Sequence, residues 1–215
     1  MSASCGHSVS FDGTSAGYRR ALWAVIALNA AMFGVEITAG ALAGSQALRA
    51  DALDFLADAV TYGASLWVIG RAAGLRARVA LIKGLSLLAM GLWVFGSTLW
   101  LVFGPGLPRA EVMGAVGFLA LLANLASVVI LMRWREGDAN VRSVWLCSRN
   151  DAVGNIAVMA AALAVGLTAT PWPDLLVAAI MSGLFLSSAV QILRRSLVEM
   201  RGHAPEHDHS HGHAH

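Results

Sequence analysis

Six apolar runs, each about as long as a bilayer-spanning helix, leave this chain few ways to fold. About 20 apolar residues carry a helix across a bilayer. With interruptions tolerated, the runs at roughly 21–43, 50–70, 79–103, 112–132, 144–167 and 173–193 qualify. The expected fold class is therefore all-α and integral to a membrane, with six transmembrane helices. Composition agrees. Of 215 residues, 57% are hydrophobic and 13% are charged, against about 25% charged in soluble domains. The formal net charge of +2 is too small to argue for a nucleic-acid partner, and no nucleic-acid-binding motif is visible. Two cysteines, Cys5 and Cys147, do not make a disulfide framework.

Basic residues set the expected orientation. Arg19 and Arg20 precede the first run, and Arg71, Arg76, Arg78 and Lys83 lie around the join of the second and third. Arg133, Arg135 and Arg142 separate the fourth from the fifth, and Arg194, Arg195 and Arg201 follow the sixth. The opposite side has Arg49 and Arg109. Lys and Arg accumulate on the cytoplasmic side, so both termini are expected in the cytoplasm. Turns are expected at GSQ 44–46, GPGLP 104–108 and TATPWP 168–173. Trp23, Trp67, Trp100, Trp134, Trp145 and Trp172 fall near span ends, as an interfacial aromatic belt would place them. The domain reading is a disordered cytoplasmic segment at 1–17, a transmembrane domain at 18–200, and a His-rich disordered cytoplasmic tail at 201–215. The polar N-terminus does not read as a cleavable signal peptide.

The second run contains ADALDFLADAV, with Asp51, Asp54 and Asp58. One Asp at a helix centre costs about 3 kcal/mol on the insertion scale, and three on the order of 9 kcal/mol. They cannot face lipid. Spacings of three and four put them on one helical face, which must meet a cavity, a cation or a protonated partner. The fifth run repeats the pattern: Cys147, Asp151 and Asn155 recur every four residues. Asp54 and Asp58 from one helix, with Cys147 and Asp151 from another, can close the tetrahedral site that zinc prefers. Sulfur beside carboxylate oxygen favours zinc or cadmium over magnesium or calcium. The competing reading pairs the acids with Arg149. Five acids, Glu36, Asp51, Asp54, Asp58 and Asp151, then have only Lys83, Arg149 and Arg49 to share.

These residues resemble the cation diffusion facilitator family of proton-coupled metal exporters. Its second span carries [HD]-x-x-x-D with an Asp three residues earlier, matched here by DALDFLAD, Asp51 to Asp58. Its fifth span carries H-x-x-x-D or D-x-x-x-D, matched by CSRND, Cys147 to Asp151, followed by AVGN. Asn29 and Glu36 ahead of AGSQALRADA, Asn124 in GFLALLAN, and WPDLLVAAIMSGLFLSSAVQILRRSLVEM agree as well. The likeness runs from about residue 18 to 200. There are two departures. Cys147 stands where the family usually has His or Asp, and the chain stops where a cytoplasmic C-terminal domain usually begins, as in the family's short members.

The resemblance implies a six-helix bundle of the family type and export of divalent transition metals, zinc and cadmium first, in exchange for protons. Asp54, Asp58, Cys147 and Asp151 would hold the metal. Asp51, Glu36, Asn29 and Asn155 are secondary candidates for a vestibule, a proton path or support of the ligands. The expected partners are the metal ion, protons, the lipid bilayer and a second copy of the chain, joined through membrane helices. No prosthetic group, nucleic-acid partner or enzymatic activity is expected, since no nucleotide-binding loop is seen. His203, His207, His209, His211, His213 and His215 alternate with other residues in the tail, a metal-capturing composition. High Ala, Gly and Arg content suggests a bacterial inner membrane. The alternatives are a cobalt, nickel or iron(II) exporter of the same type and a non-transporting membrane metal sensor or scaffold.

Overall fold

Every apolar run becomes one long helix. A computed structural model describes residues 15–68, 73–104, 106–134 and 139–202, excepting the side chains at 65, 68, 73–80, 139–150, 195 and 199–202. The described residues form α1 (Ala16–Ala43), α2 (Gln46–Val68), α3 (Ala73–Val102), α4 (Ala110–Leu131), α5 (Ala139–Thr168) and α6 (Trp172–Gly202). A single 3-10 turn, Met132–Trp134, follows α4. Helix bounds move outward from the apolar runs where capping or helix-forming polar residues allow it. Ser15 starts α1 by accepting from the Tyr18 N–H at 3.2 Å. At the other end α6 continues past Arg194 to Gly202, so helix reaches into the segment expected to be tail.

The helices are inside-out relative to a soluble protein. On α4 the buried positions between Met113 and Leu131, themselves buried near its two ends, are Gly117, Ala120, Ala123, Asn124 and Ser127, while Phe118, Leu119, Leu122, Leu125 and Val129 face outward. Small and polar residues line the interior and large apolar ones the surface, as lipid as solvent demands. Among the described residues, five helices contain stretches long and apolar enough to cross a membrane: Ala16–Ala43, Leu81–Val102, Ala110–Trp134, Asp151–Thr168 and Trp172–Val198. The exception is α2, which carries Arg49, Asp51, Asp54 and Asp58.

Packing is pairwise. α3 lies chiefly along α6, α1 along α2, and α4 along α5, with further contact of α1 on α4 and of α2 on α3, α5 and α6. Close approach needs small residues. A Cβ at Gly40 would lie 3.1 Å from the Arg49 backbone nitrogen, at the α1–α2 crossing. Gly44 then turns the chain in the left-handed region, φ 72°.

The α1–α2, α3–α4 and α5–α6 connections meet at one end. Gly44, Gly106, Pro108, Pro171 and Asp174 line a small cavity there of about 50 Å³. Arg109 donates its backbone N–H to the Ala43 carbonyl at 3.0 Å and its guanidinium to the Leu42 carbonyl at 2.6 Å. It thereby satisfies acceptors that the end of α1 leaves open. The opposite end holds a cluster of Tyr18, Leu22, Tyr62, Leu66 and Leu131. Trp134 joins that cluster, its ring edge-on to Tyr18 at 5.9 Å. Trp134 stays partly exposed there, at the end of its span. Trp23, Trp67, Trp100 and Trp172 are each more than half exposed, as a belt requires; the Trp145 side chain lies outside the described residues.

Candidate functional site

The acids of α2 meet partners on two other helices, α1 and α5. Asp51, one turn into the helix, is buried and faces Glu36 of α1, which is fully buried. Glu36 finds no other hydrogen-bonding partner among the described residues. α1 presents it there because its inward stripe runs Leu22, Val25, Asn29, Met32, Glu36 and Gly40, three or four residues apart. Asn29, seven residues earlier on that stripe, donates its side-chain amide to the Val25 carbonyl of its own helix at 2.8 Å.

Asp54 and Asp58 are partly accessible, and both lie close enough to Asp151 of α5 for their carboxyl groups to interact with it. Two helices far apart in sequence thus bring Asp151 near each of two α2 carboxyls. A helix rises about 1.5 Å per residue, so Asp54 lies about 12 Å and Asp58 about 18 Å along α2, near its middle. Tyr62, the next residue on that face and almost wholly buried, donates its hydroxyl to Asp58 Oδ2. Lys83 of α3 adds a positive charge near Asp58. It lines a largely apolar cavity of about 90 Å³ between α2 and α3, with Leu56, Ala57, Val60, Leu87 and Met90 among its neighbours.

Among the described residues, no group of three or more His, Cys, Asp or Glu forms a ready-made metal cage. The carboxyls meet two at a time. Four residues before Asp151 on α5 comes Cys147, whose side chain lies outside the described residues, as does that of Arg149. Asn155, one turn beyond Asp151, is fully buried, and neither atom of its amide has a hydrogen-bonding partner among the described residues. The tail histidines, His203, His207, His209, His211, His213 and His215, lie outside the described residues, as do Cys5 and His7.

One buried acid was not singled out from sequence. Asp174, in the first turn of α6, is fully buried and accepts from Ser45 Oγ–H at 2.6 Å, Gln46 N–H at 2.8 Å and Ala47 N–H at 3.0 Å. The available signal was an Asp just after Trp-Pro at a helix start, where acids cap amide groups.

Comparison with known proteins gives one consistent result. The profile of the cation efflux transmembrane domain matches residues 22–74 and 75–200. The metal cation efflux system protein CzcD of Cupriavidus metallidurans is 28% identical over 203 residues, covering 89% of this chain and 63% of that protein. The zinc transporter ZitB of Pectobacterium atrosepticum is 26% identical over 200 residues, covering 87% and 62%. ZitB of Escherichia coli is 28% identical over 218 residues, covering 95% and 69%. The chain spans just under two thirds of the length of the first two. Its family profile and its outward apolar helices make it an integral membrane protein.

Proposed function

The chain belongs to the cation efflux family, also called the cation diffusion facilitators, and on that premise we propose that it exports divalent transition-metal cations, zinc and cadmium first, in exchange for protons. The observation that carries the proposal is the meeting of Asp151 with Asp54 and Asp58 across the α2–α5 contact. A hydrogen bond between two carboxyls needs a proton on one of them. A metal ligand must be deprotonated. The same oxygens therefore hold either protons or metal, and exchange follows from one shared set of ligands. Partial accessibility of Asp54, Asp58 and Asp151 suits groups that a solvated ion must reach. The names of the relatives, a metal cation efflux protein and zinc transporters, support the same cargo.

In this reading Cys147 joins Asp54, Asp58 and Asp151 as the fourth ligand and biases the site toward soft ions. Tyr62 orients Asp58 from behind, as partners of metal-ligating carboxylates do. Asp51, Glu36, Asn29 and Asn155, all buried polar groups, serve the ion's or the protons' path. α2 crosses the membrane as a sixth span, its acids facing inward. The Arg-rich end with both termini lies in the cytoplasm of a bacterial cell, across its inner membrane, and the tail histidines capture metal there. Residues 18–200 are the transporting domain, between segments 1–17 and 201–215. Two copies pair through membrane helices.

The test is metal uptake into sealed proteoliposomes with an imposed pH gradient, run for zinc, cadmium, cobalt, nickel and iron(II). The proposal expects zinc and cadmium flux that rises with the gradient and stops when it is collapsed. Flux of cobalt, nickel or iron(II) alone would replace the cargo. Binding without flux of any ion would make the protein a sensor or scaffold.

A further inference from the structure

The helix that carries Asp54 and Asp58 is held at its start by a residue from another helix. A helix leaves its first N–H groups without partners, and the residue just before it ordinarily supplies one. Here Ser45 does so for Leu48, its Oγ accepting from the Leu48 N–H at 3.1 Å. The N–H groups of Gln46 and Ala47 go instead to Asp174 of α6, one to each carboxylate oxygen, at 2.8 and 3.0 Å. The Ser45 hydroxyl donates to the same carboxylate at 2.6 Å. Arg49 lies close enough to balance the charge of Asp174. The Gln46 side chain accepts from Ser97 Oγ–H of α3 at 3.0 Å, so two neighbouring helices grip one turn of α2.

A local cap satisfies amides but leaves a helix free to slide or turn against its neighbours. Three bonds to a buried carboxylate on α6 do not. One residue of slip would move Asp54 and Asp58 by about 1.5 Å along the axis and by about 100° around it. Metal–ligand distances tolerate only about 0.2 Å.

We propose that Asp174 is a positioning residue for metal binding: by holding Ser45, Gln46 and Ala47 it sets the height and rotation of α2, and so keeps Asp54 and Asp58 opposite Asp151. The inference rests on the metal-site reading above.

The test is equilibrium zinc binding to the purified full-length protein, with monodispersity and thermal midpoint measured on the same samples. Two variants decide it. Asp174→Ala removes the tie. Ser45→Asp with Asp174→Ala moves the carboxylate onto the position before α2, restoring a cap while leaving α6 no polar side chain there to bond it. We expect both to bind zinc at least tenfold more weakly. We expect the double variant to recover the thermal midpoint that Asp174→Ala loses, without recovering affinity. A double variant with wild-type affinity overturns the proposal, because capping alone would then suffice. So does a folded Asp174→Ala protein with wild-type affinity. If either is not recovered as a monodisperse protein, Asp174→Asn, which keeps one acceptor oxygen, is judged by the same tenfold criterion. Wild-type protein that binds no zinc would instead refute the metal-site reading. Wild type that binds, with variants equal to it, refutes only the role of Asp174.

Discussion

The Tyr62 hydroxyl donates to Asp58 Oδ2, one turn back along α2. That bond occupies one oxygen of Asp58 and leaves the other available to a further partner. Removing such an outer partner of a metal ligand typically costs about 10- to 100-fold in affinity. Tyr62→Phe is therefore expected to weaken zinc binding about tenfold while the protein remains folded. Titration against a competing chromophoric chelator measures it, and wild-type affinity would remove Tyr62 from the site.

Asp54, Asp58 and Asp151 are expected to cost stability and confer binding. Asp151→Asn, like Asp54→Asn and Asp58→Asn, should leave the metal-free thermal midpoint unchanged or raised, because one member of a crowded carboxyl set is neutralised. Zinc at about 100 times its Kd should stabilise the wild type by about 2.7 kcal/mol, and chelation should reverse this. The Asp151→Asn protein should show no zinc shift. Thermal unfolding with and without zinc, and then with chelator, reads all of these.

Cys147 is expected to set the preference for soft ions. Zinc X-ray absorption of the loaded wild type should show one sulfur at about 2.3 Å among lighter ligands at about 2.0 Å. Cys147→Asp should lose the sulfur shell and bind cadmium less well relative to cobalt. A sulfur-free wild-type spectrum would take Cys147 out of the ligand set.

Glycine positions separate packing from propensity. Gly40→Ala pushes a methyl against the Arg49 backbone, 3.1 Å away, and backbone cannot swing aside. It is expected to cost about 1–3 kcal/mol. Gly34→Ala meets nothing within 4 Å and should stabilise α1 by up to about 1 kcal/mol. Thermal unfolding of the two variants side by side checks both signs.

Hydropathy located the helices because bilayer thickness fixes how long an apolar run must be. Their ends were less legible, because they depend on caps. Ser15 extends α1 backward, and the α2 start depends on Asp174, 128 residues away from Gln46. Trp134 looked like its exposed counterparts, and only the fold shows Tyr18 beneath it. The periodicity of Asp54 and Asp58, and of Asp151, put them on helix faces. It could not show that the α2 and α5 faces meet, nor that Asp51 meets Glu36 of α1. Asp174 was quoted only within the sixth-span motif, because nothing in the local sequence shows that the start of α2 comes to meet it.

The most direct measurement is gradient-driven zinc uptake into proteoliposomes by wild type and by Asp151→Asn, at matched amounts of folded protein. If α2 and α5 jointly carry the metal, the variant falls to the rate of protein-free vesicles while the wild type responds to the gradient. Uptake by Asp151→Asn at the wild-type rate would contradict the account, since the carboxyl that joins the two helices would then have no part in moving the ion.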